Sequence, residues 1–359
     1  MKPTEQLHDL GQSLWLDNIT RTMLSDGTLS GYLEELSVTG LTSNPTIYDK
    51  AISGGDAYDE QIAADGPKAD SPEELFFELA FADLRRAADL FAPVHQRTDG
   101  VDGWVSLEVS PLLADDTEAT IEQAAKLHRK GERDNLFIKI PGTEAGRRAI
   151  EESIFNGVHV NVTLLFSRGH YLGAAEAYMR GIERRIEAGL DPAVGSVASL
   201  FVSRWDKAVM DEVPDELRDR LGIAIGKRTY AAYRELLDSE RWQRLANEGA
   251  RPQRLLFAST STKDPEASDV LYVEGLAAPH TINTMPEGTL KAFAEHGAVR
   301  EPLSEDGGDA EQALLEFAAA GIDVEALSAR LQEEGKQAFD QSWREMLATI
   351  GSEKERICQ

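Results

Sequence analysis

Only one cysteine, Cys358, occurs in the 359 residues, so no disulfide framework and no cysteine-based metal site can form within one chain. Long apolar runs are missing too, and nothing approaches the roughly 18 consecutive apolar residues of a spanning helix. The opening Met1-Lys2-Pro3-Thr4-Glu5-Gln6 has no apolar h-region. The expectation is a cytoplasmic chain without a signal peptide and without membrane contact. Positive charge is scarce: 37 Lys and Arg face 63 Asp and Glu, a net charge of −26. Such a balance argues against nucleic acid or an anionic membrane as partner. No Gly-x-Gly-x-x-Gly follows the first apolar run and no P-loop occurs, which removes the common nucleotide-binding signatures. His159 has neither a His-x-His neighbour nor a carboxylate at metal spacing. It is expected to fill a layer inside a barrel, and no metal is expected.

What the chain does contain is a steady alternation of short apolar runs with stretches of helical spacing. Eight runs read as strands: Ser13–Asp17, Val38–Asn44, Trp104–Glu108, Leu136–Ile140, His159–Thr163, Ser196–Phe201, Leu255–Ser259 and Val270–Val273. Start signals mark the helices between them. Ser71-Pro72-Glu73-Glu74 opens one, Asp116 or Thr117 another, and Thr143 can cap a third that stops at Gly157. Alternation of this kind indicates βαβ units on a parallel sheet. Eight strands make an α/β fold of the (β/α)8 TIM-barrel type with extra helices the leading architecture, with a doubly wound sheet as competitor. With 42% hydrophobic residues and no linker or repeat, residues 1–359 are expected to form one domain. Arg204–Ala250 is expected to supply two or three helices between the sixth and seventh strands. Val324–Ile350 is expected to form one or two amphipathic helices with Leu327, Leu331, Ala338, Phe339, Trp343 and Leu347 on the apolar face. His280 is expected in the loop after the eighth strand, with a structural role.

One residue interrupts the apolar pattern sharply. Lys139 stands inside Leu136-Phe137-Ile138-Lys139-Ile140-Pro141, and lysine is rarely buried without a task. Desolvation penalises an ammonium and favours the free amine, which attacks carbonyl carbons to form Schiff bases. The alternative is a strand-end lysine whose stem is covered while its head reaches solvent. Other candidate strands also close on polar residues: Asp17, Asn44, Glu108, Asn161 with Thr163, Ser199 and Ser259. Side chains alternate along a strand, and the C-terminal strand ends of a closed barrel ring one mouth, where active sites lie. Period two places Thr42 with Asn44, Ser106 with Glu108, Phe137 with Lys139, and Asn161 with Thr163 on shared faces. Taken singly, Asp17 has an alternative reading as a helix cap and Asn44, before Pro45, as a turn residue.

The convergence suits one kind of chemistry. An amine attacks a ketose carbonyl, and a carboxyl beside a hydroxyl and a water, Glu108 with Thr163, shuttles protons to the departing hydroxyl. A second carboxylate, Asp17, accepts a proton from a substrate hydroxyl as a carbon–carbon bond breaks. Asn44, Asn161 and Ser199 suit the hydroxyls of the retained fragment.

These residues lie in segments that resemble the transaldolase family. Gly40-Leu41-Thr42-Ser43-Asn44-Pro45-Thr46 is similar to its Thr-Ser/Thr-Asn-Pro signature, and Phe137-Ile138-Lys139-Ile140-Pro141-Gly142-Thr143 to the surroundings of its Schiff-base lysine. Ser106–Val109, Asn161–Ser167 and Ser199–Arg204 are similar to further active-site segments in the same order. The resemblance runs from about Leu7 to Trp343.

It implies a (β/α)8 barrel with Lys139 as the Schiff-base residue on the fourth strand, and Asp17 and Glu108 as acid–base groups. Thr163, Asn44, Thr42, Asn161, Ser199, Phe201 and Ser259 would support them. Phosphate would bind at Arg204 and after the seventh strand, where Lys263 stands in place of the arginine that many relatives carry. The implied reaction transfers a dihydroxyacetone unit from sedoheptulose 7-phosphate or fructose 6-phosphate to an aldose phosphate, in the pentose phosphate pathway. The implied partners are sugar phosphates, with no cofactor and a monomeric or homodimeric state. Anionic substrates approaching a chain of charge −26 need a local positive mouth, and Arg204 and Lys263 are the candidates. The rival is a related aldolase that releases free dihydroxyacetone, in which tyrosine stands at the Phe201 position and glutamine at the Glu108 position. A barrel kept only as a scaffold would have lost Lys139, Asp17 or Glu108, and all three are present.

Overall fold

Strands covered by side chains on one face and by helices on the other have no solvent side, so they read as continuous apolar runs. Leu136–Pro141, Val160–Leu165 and Ser196–Phe201 are buried at every position in the computed structural model, which describes residues 1–358. Eight strands are present: β1 Ser13–Asp17, β2 Val38–Thr42, β3 Val105–Glu108, β4 Leu136–Pro141, β5 Val160–Leu165, β6 Ser196–Phe201, β7 Gln253–Ala258 and β8 Ile282–Met285. They pair in parallel in the order β2-β1-β8-β7-β6-β5-β4-β3. The remaining join, β2 to β3, rests on a single parallel bridge between Gly40 and Trp104. There the Leu41 amide donates to the Trp104 carbonyl at 2.9 Å and the Gly103 amide to the Thr39 carbonyl at 2.7 Å. The sheet therefore closes on itself, and the chain is a (β/α)8 barrel with additional helices.

The join explains one glycine. A Cβ on Gly40 would lie 2.7 Å from the Trp15 ring and 2.9 Å from the Trp104 carbonyl oxygen. Neither neighbour has room to retreat, because Trp15 is fully buried. Gly40→Ala is expected to destabilise the barrel by roughly 2–3 kcal/mol, read as a lower urea midpoint at unchanged slope.

Helix starts agree with the sequence. Ser71, Asp116 and Thr143 each cap a helix by accepting a backbone hydrogen bond three residues on, at 3.0–3.1 Å. Between β6 and β7 lie the α-helices Ser203–Val209, Leu221–Asp238 and Glu240–Asn247, within the expected two or three. No helix among the described residues is long and apolar enough to cross a membrane.

The eighth strand is where the expectation fails. Val270–Val273 is not a strand; Leu271–Gly275 is a short helix, and β8 is Ile282-Asn283-Thr284-Met285. A four-residue apolar run carries no period that separates helix from strand, while two polar residues hid the true strand. His280 consequently precedes β8 instead of following the eighth strand. Its amide donates to the Gly11 carbonyl at 2.8 Å, at the end of the barrel opposite the strands' C-terminal mouth. His159 lies just before β5, where its Nδ1 accepts from the Gly195 amide at 2.9 Å and its ring packs edge-on against Trp104. Burial pushes its pKa down to about 3, so the ring stays neutral in this structural role.

The last helix is one continuous element, Val324–Cys358, longer than expected. It crosses the C-terminal mouth. Gln332 donates to the Leu164 carbonyl at 2.9 Å, Lys336 pairs with Asp115 at 2.8 Å, and Thr46 donates to Ser342 at 3.1 Å. Trp343 is buried against Phe76 and Phe77. The buried face is set by Leu327, Leu331, Gly335, Trp343, Met346 and Ile350, whereas Ala338 and Phe339 turn to the mouth.

Candidate active site

The C-terminal ends of the strands and the last helix enclose a cavity of about 350 Å³. Of the residues singled out from the sequence, Asp17, Thr42, Asn44, Lys139, Thr163, Ser199, Phe201, Arg204, Ser259 and Lys263 line it. Glu108 and Asn161 do not; they sit behind that lining.

Lys139, at 6% exposure, is buried on β4, but its surroundings are not the apolar wall its strand suggests. Its Nζ donates to the Ser43 carbonyl at 2.8 Å and forms a close ion pair with Glu108 Oε1. Register explains the pair, since Glu108 on β3 stands beside Lys139 on β4. Burial pushes the Glu108 carboxyl above its ordinary value, although the lysine pulls the other way. Glu108, Lys139 and Thr163 also border a small void shared with Lys336 and Phe339. An amine held this way carries its proton acceptor with it.

Asp17 closes β1 across the cavity. Thr42 donates to Asp17 Oδ1 at 2.8 Å and shares a 2.7 Å hydroxyl contact with Thr284 on β8. Desolvation raises the Asp17 pKa, offset in part by Lys139, then Thr42, Asn44 and Lys263. A carboxylate of this kind costs stability. Its folded-state pKa lies above the unfolded value, so the penalty grows as pH rises through that interval and vanishes below it. Asp17→Asn is therefore expected to raise stability by roughly 1 kcal/mol at neutral pH, a gain that fades below about pH 4. Thermal unfolding across pH 3 to 8 reads it.

The remaining polar groups form a second tier. Ser199 donates to Asn161 Oδ1 at 2.7 Å, and Asn161 donates to Ser106 at 3.2 Å. Asn161 is thus a fully buried bridge among β3, β5 and β6. Asn44 caps the helix Pro45–Ser53 by accepting from the Ile47 amide at 3.1 Å, so the turn reading and the site reading both hold. Thr163 is different. Its buried hydroxyl has no partner among the described residues, although a lone buried hydroxyl is costly. Beside it Leu164 adopts φ 59°, and at the cavity rim Ser259 adopts φ 55°. Left-handed backbone at non-glycine residues costs about 1–3 kcal/mol and gathers at functional sites.

The cations sit together near the rim. Arg204 is half-buried, and Lys263 Nζ donates to Ser261 at 2.6 Å. Burial lowers the Lys263 pKa, aided by Arg204 and Lys207 and opposed by Asp17. Thr284, Ser261, Thr46, Ser342 and Phe339 also line the cavity and were not anticipated as site residues. Thr284 was hidden by the misplaced eighth strand. The Ser43 carbonyl is backbone and carries no residue signal, and the last helix gave only an amphipathic pattern.

Residues 14–350 match the family described as Transaldolase/Fructose-6-phosphate aldolase. A transaldolase of Neisseria gonorrhoeae is 42% identical over 342 residues, covering 95% of this chain and 97% of that protein. A transaldolase of Thermobifida fusca is 43% identical over 360 residues, covering 98% of each. A protein of Nostoc punctiforme called transaldolase 2 is 40% identical over 96% of each chain.

Proposed function

The chain belongs to the transaldolase/fructose-6-phosphate aldolase family, and on that premise we propose that it is a transaldolase working through a Schiff base on Lys139. The observation that carries this is the buried Lys139–Glu108 pair opening onto a cavity faced by Asp17. Glu108 takes the ammonium proton, and the free amine adds to the C2 carbonyl of sedoheptulose 7-phosphate or fructose 6-phosphate. The carbinolamine loses water to give an iminium. Thr163, whose hydroxyl lacks a partner among the described residues, suits the water that passes protons between Glu108 and the departing hydroxyl.

Asp17 then accepts the proton of the C4 hydroxyl. The C3–C4 bond breaks, its electron pair enters the iminium to form an enamine, and the aldose phosphate leaves. The retained dihydroxyacetone enamine attacks the aldehyde carbon of an acceptor aldose phosphate, and hydrolysis frees Lys139. Asn44, Thr42 and Ser199 bind the hydroxyls of the retained unit, and Arg204, Lys263 and Ser259 bind phosphate. The pathway is the non-oxidative pentose phosphate pathway, and the compartment proposed is the cytoplasm.

Borohydride reduction in the presence of fructose 6-phosphate tests the reading. A dihydroxyacetone-derived adduct should map to Lys139, and an adduct elsewhere or none would refute it. The family also contains aldolases that release dihydroxyacetone. Phe201 and Glu108, in place of the tyrosine and glutamine of that type, support transfer. An assay without acceptor should accordingly yield little free dihydroxyacetone.

A further inference from the structure

Arg204 has an unusual environment for a half-buried guanidinium. Among the described residues it makes no hydrogen bond and no ion pair, and burial lowers its pKa, with distant Glu334 acting the other way. Its partners are two aromatic rings instead. The guanidinium carbon lies 5.2 Å from the Phe201 ring centre on the barrel and 6.0 Å from that of Phe339 on the last helix. The two rings meet edge-on at 6.3 Å, and Phe166 stacks behind Phe201 at 5.4 Å. Rings engage a guanidinium through its charge and leave its N–H edges free for an anion.

The last helix contributes a second contact one turn earlier. A Cβ on Gly335 would lie 3.4 Å from Arg204 Nη1 and 3.1 Å from Leu164. Glycine inside a helix costs about 1 kcal/mol relative to alanine, so its place here answers to the close approach of the Leu164 side chain, with Arg204 Nη1 and Phe166 in contact behind it at 3.4 Å. The helix is anchored on both sides of this face by Gln332 and Ser342, so the wall it presents is fixed.

Resting on the reading of the cavity as a sugar-phosphate site, we propose that the last helix, through Phe339 and Gly335, is the second wall of a cradle that aims Arg204 at the substrate phosphate. It thereby sets the preference for phosphorylated over unphosphorylated ketoses. Phe339 and Gly335 are positioning residues: they act through Arg204 and need no contact with the reacting carbons.

The test titrates inorganic phosphate into the wild type, Phe339→Leu, Phe339→Tyr and Gly335→Ala by calorimetry. In parallel, each is trapped on Lys139 by borohydride with unphosphorylated dihydroxyacetone. Phe339→Leu, which keeps bulk and loses the ring, is expected to weaken phosphate about five-fold, and Phe339→Tyr to retain it. Gly335→Ala, whose methyl meets Leu164 before Nη1, is expected to weaken phosphate less than Phe339→Leu does. Trapping with dihydroxyacetone should stay at the wild-type extent, and KM for fructose 6-phosphate should rise more than kcat falls. Phosphate affinity in Phe339→Leu within two-fold of wild type overturns the proposal. So does a parallel loss of phosphate binding and trapping, which would mark a displaced helix. Absence of any adduct in the wild type refutes the Schiff-base reading alone, because the phosphate titration judges the cradle independently.

Discussion

Lys139→Met is expected to abolish the borohydride-trapped adduct and to lower kcat by about 10⁴-fold or more, as removal of a covalent nucleophile does. The substitution also strands Glu108. With its cation gone, a carboxylate already pushed upward by burial lies in a site where its charge is uncompensated, and it takes up a proton. The stability cost is roughly 1–3 kcal/mol and depends on pH in a fixed sense. The folded-state pKa of Glu108 then stands further above its ordinary 4.5, so the folded form holds the proton more tightly. Stability falls as pH rises from that ordinary value toward the raised one. The variant should therefore compare best with wild type near pH 5 and worst near pH 8, in denaturant melts at both. Lys139→Arg separates the two effects, since a guanidinium keeps the charge beside Glu108 but does not add to carbonyls. Activity retained in either variant would remove the covalent route.

Glu108→Gln is expected to cost about 10²–10³-fold in kcat, the usual range for a lost general acid–base group. Its signature lies in the pH profile. A base must be ionised to act, so activity declines as pH drops through its pKa, and burial sets that limb above the ordinary carboxylate range. In Glu108→Gln the limb should move or disappear, leaving the contribution of Asp17, which is also raised. An unchanged limb at unchanged kcat would place the proton acceptor elsewhere. Because Glu108 touches Lys139 but not the main cavity, KM should change much less than kcat.

Much of the fold was legible because both devices that define it leave a sequence trace. Apolar runs bounded by capping residues located β1 to β7 to within a few residues, and Ser71, Asp116 and Thr143 marked helix starts through hydrogen bonds that are local. Lys139, Asp17 and Glu108 stood out because charge inside a buried strand is costly. Three things were not legible. β8 carries Asn283 and Thr284 at interior positions, so its pattern imitates a loop. The counter-ion geometry of Lys139 depends on the register between β3 and β4, which no local pattern records. The role of Phe339 depends on where the last helix crosses the barrel, and an amphipathic stripe states only that a face is covered.

The weak join between β2 and β3 gains importance from what lies just above it. Lys139 grips Ser43, which follows β2, and Glu108, which ends β3, while the Ser43 hydroxyl reaches the Ser106 carbonyl at 2.9 Å. The nucleophile is thus also a staple across the barrel's thinnest edge. An ammonium has three protons to share between those two grips, whereas a protonated imine keeps one. Each substrate captured must therefore open one arm of the staple.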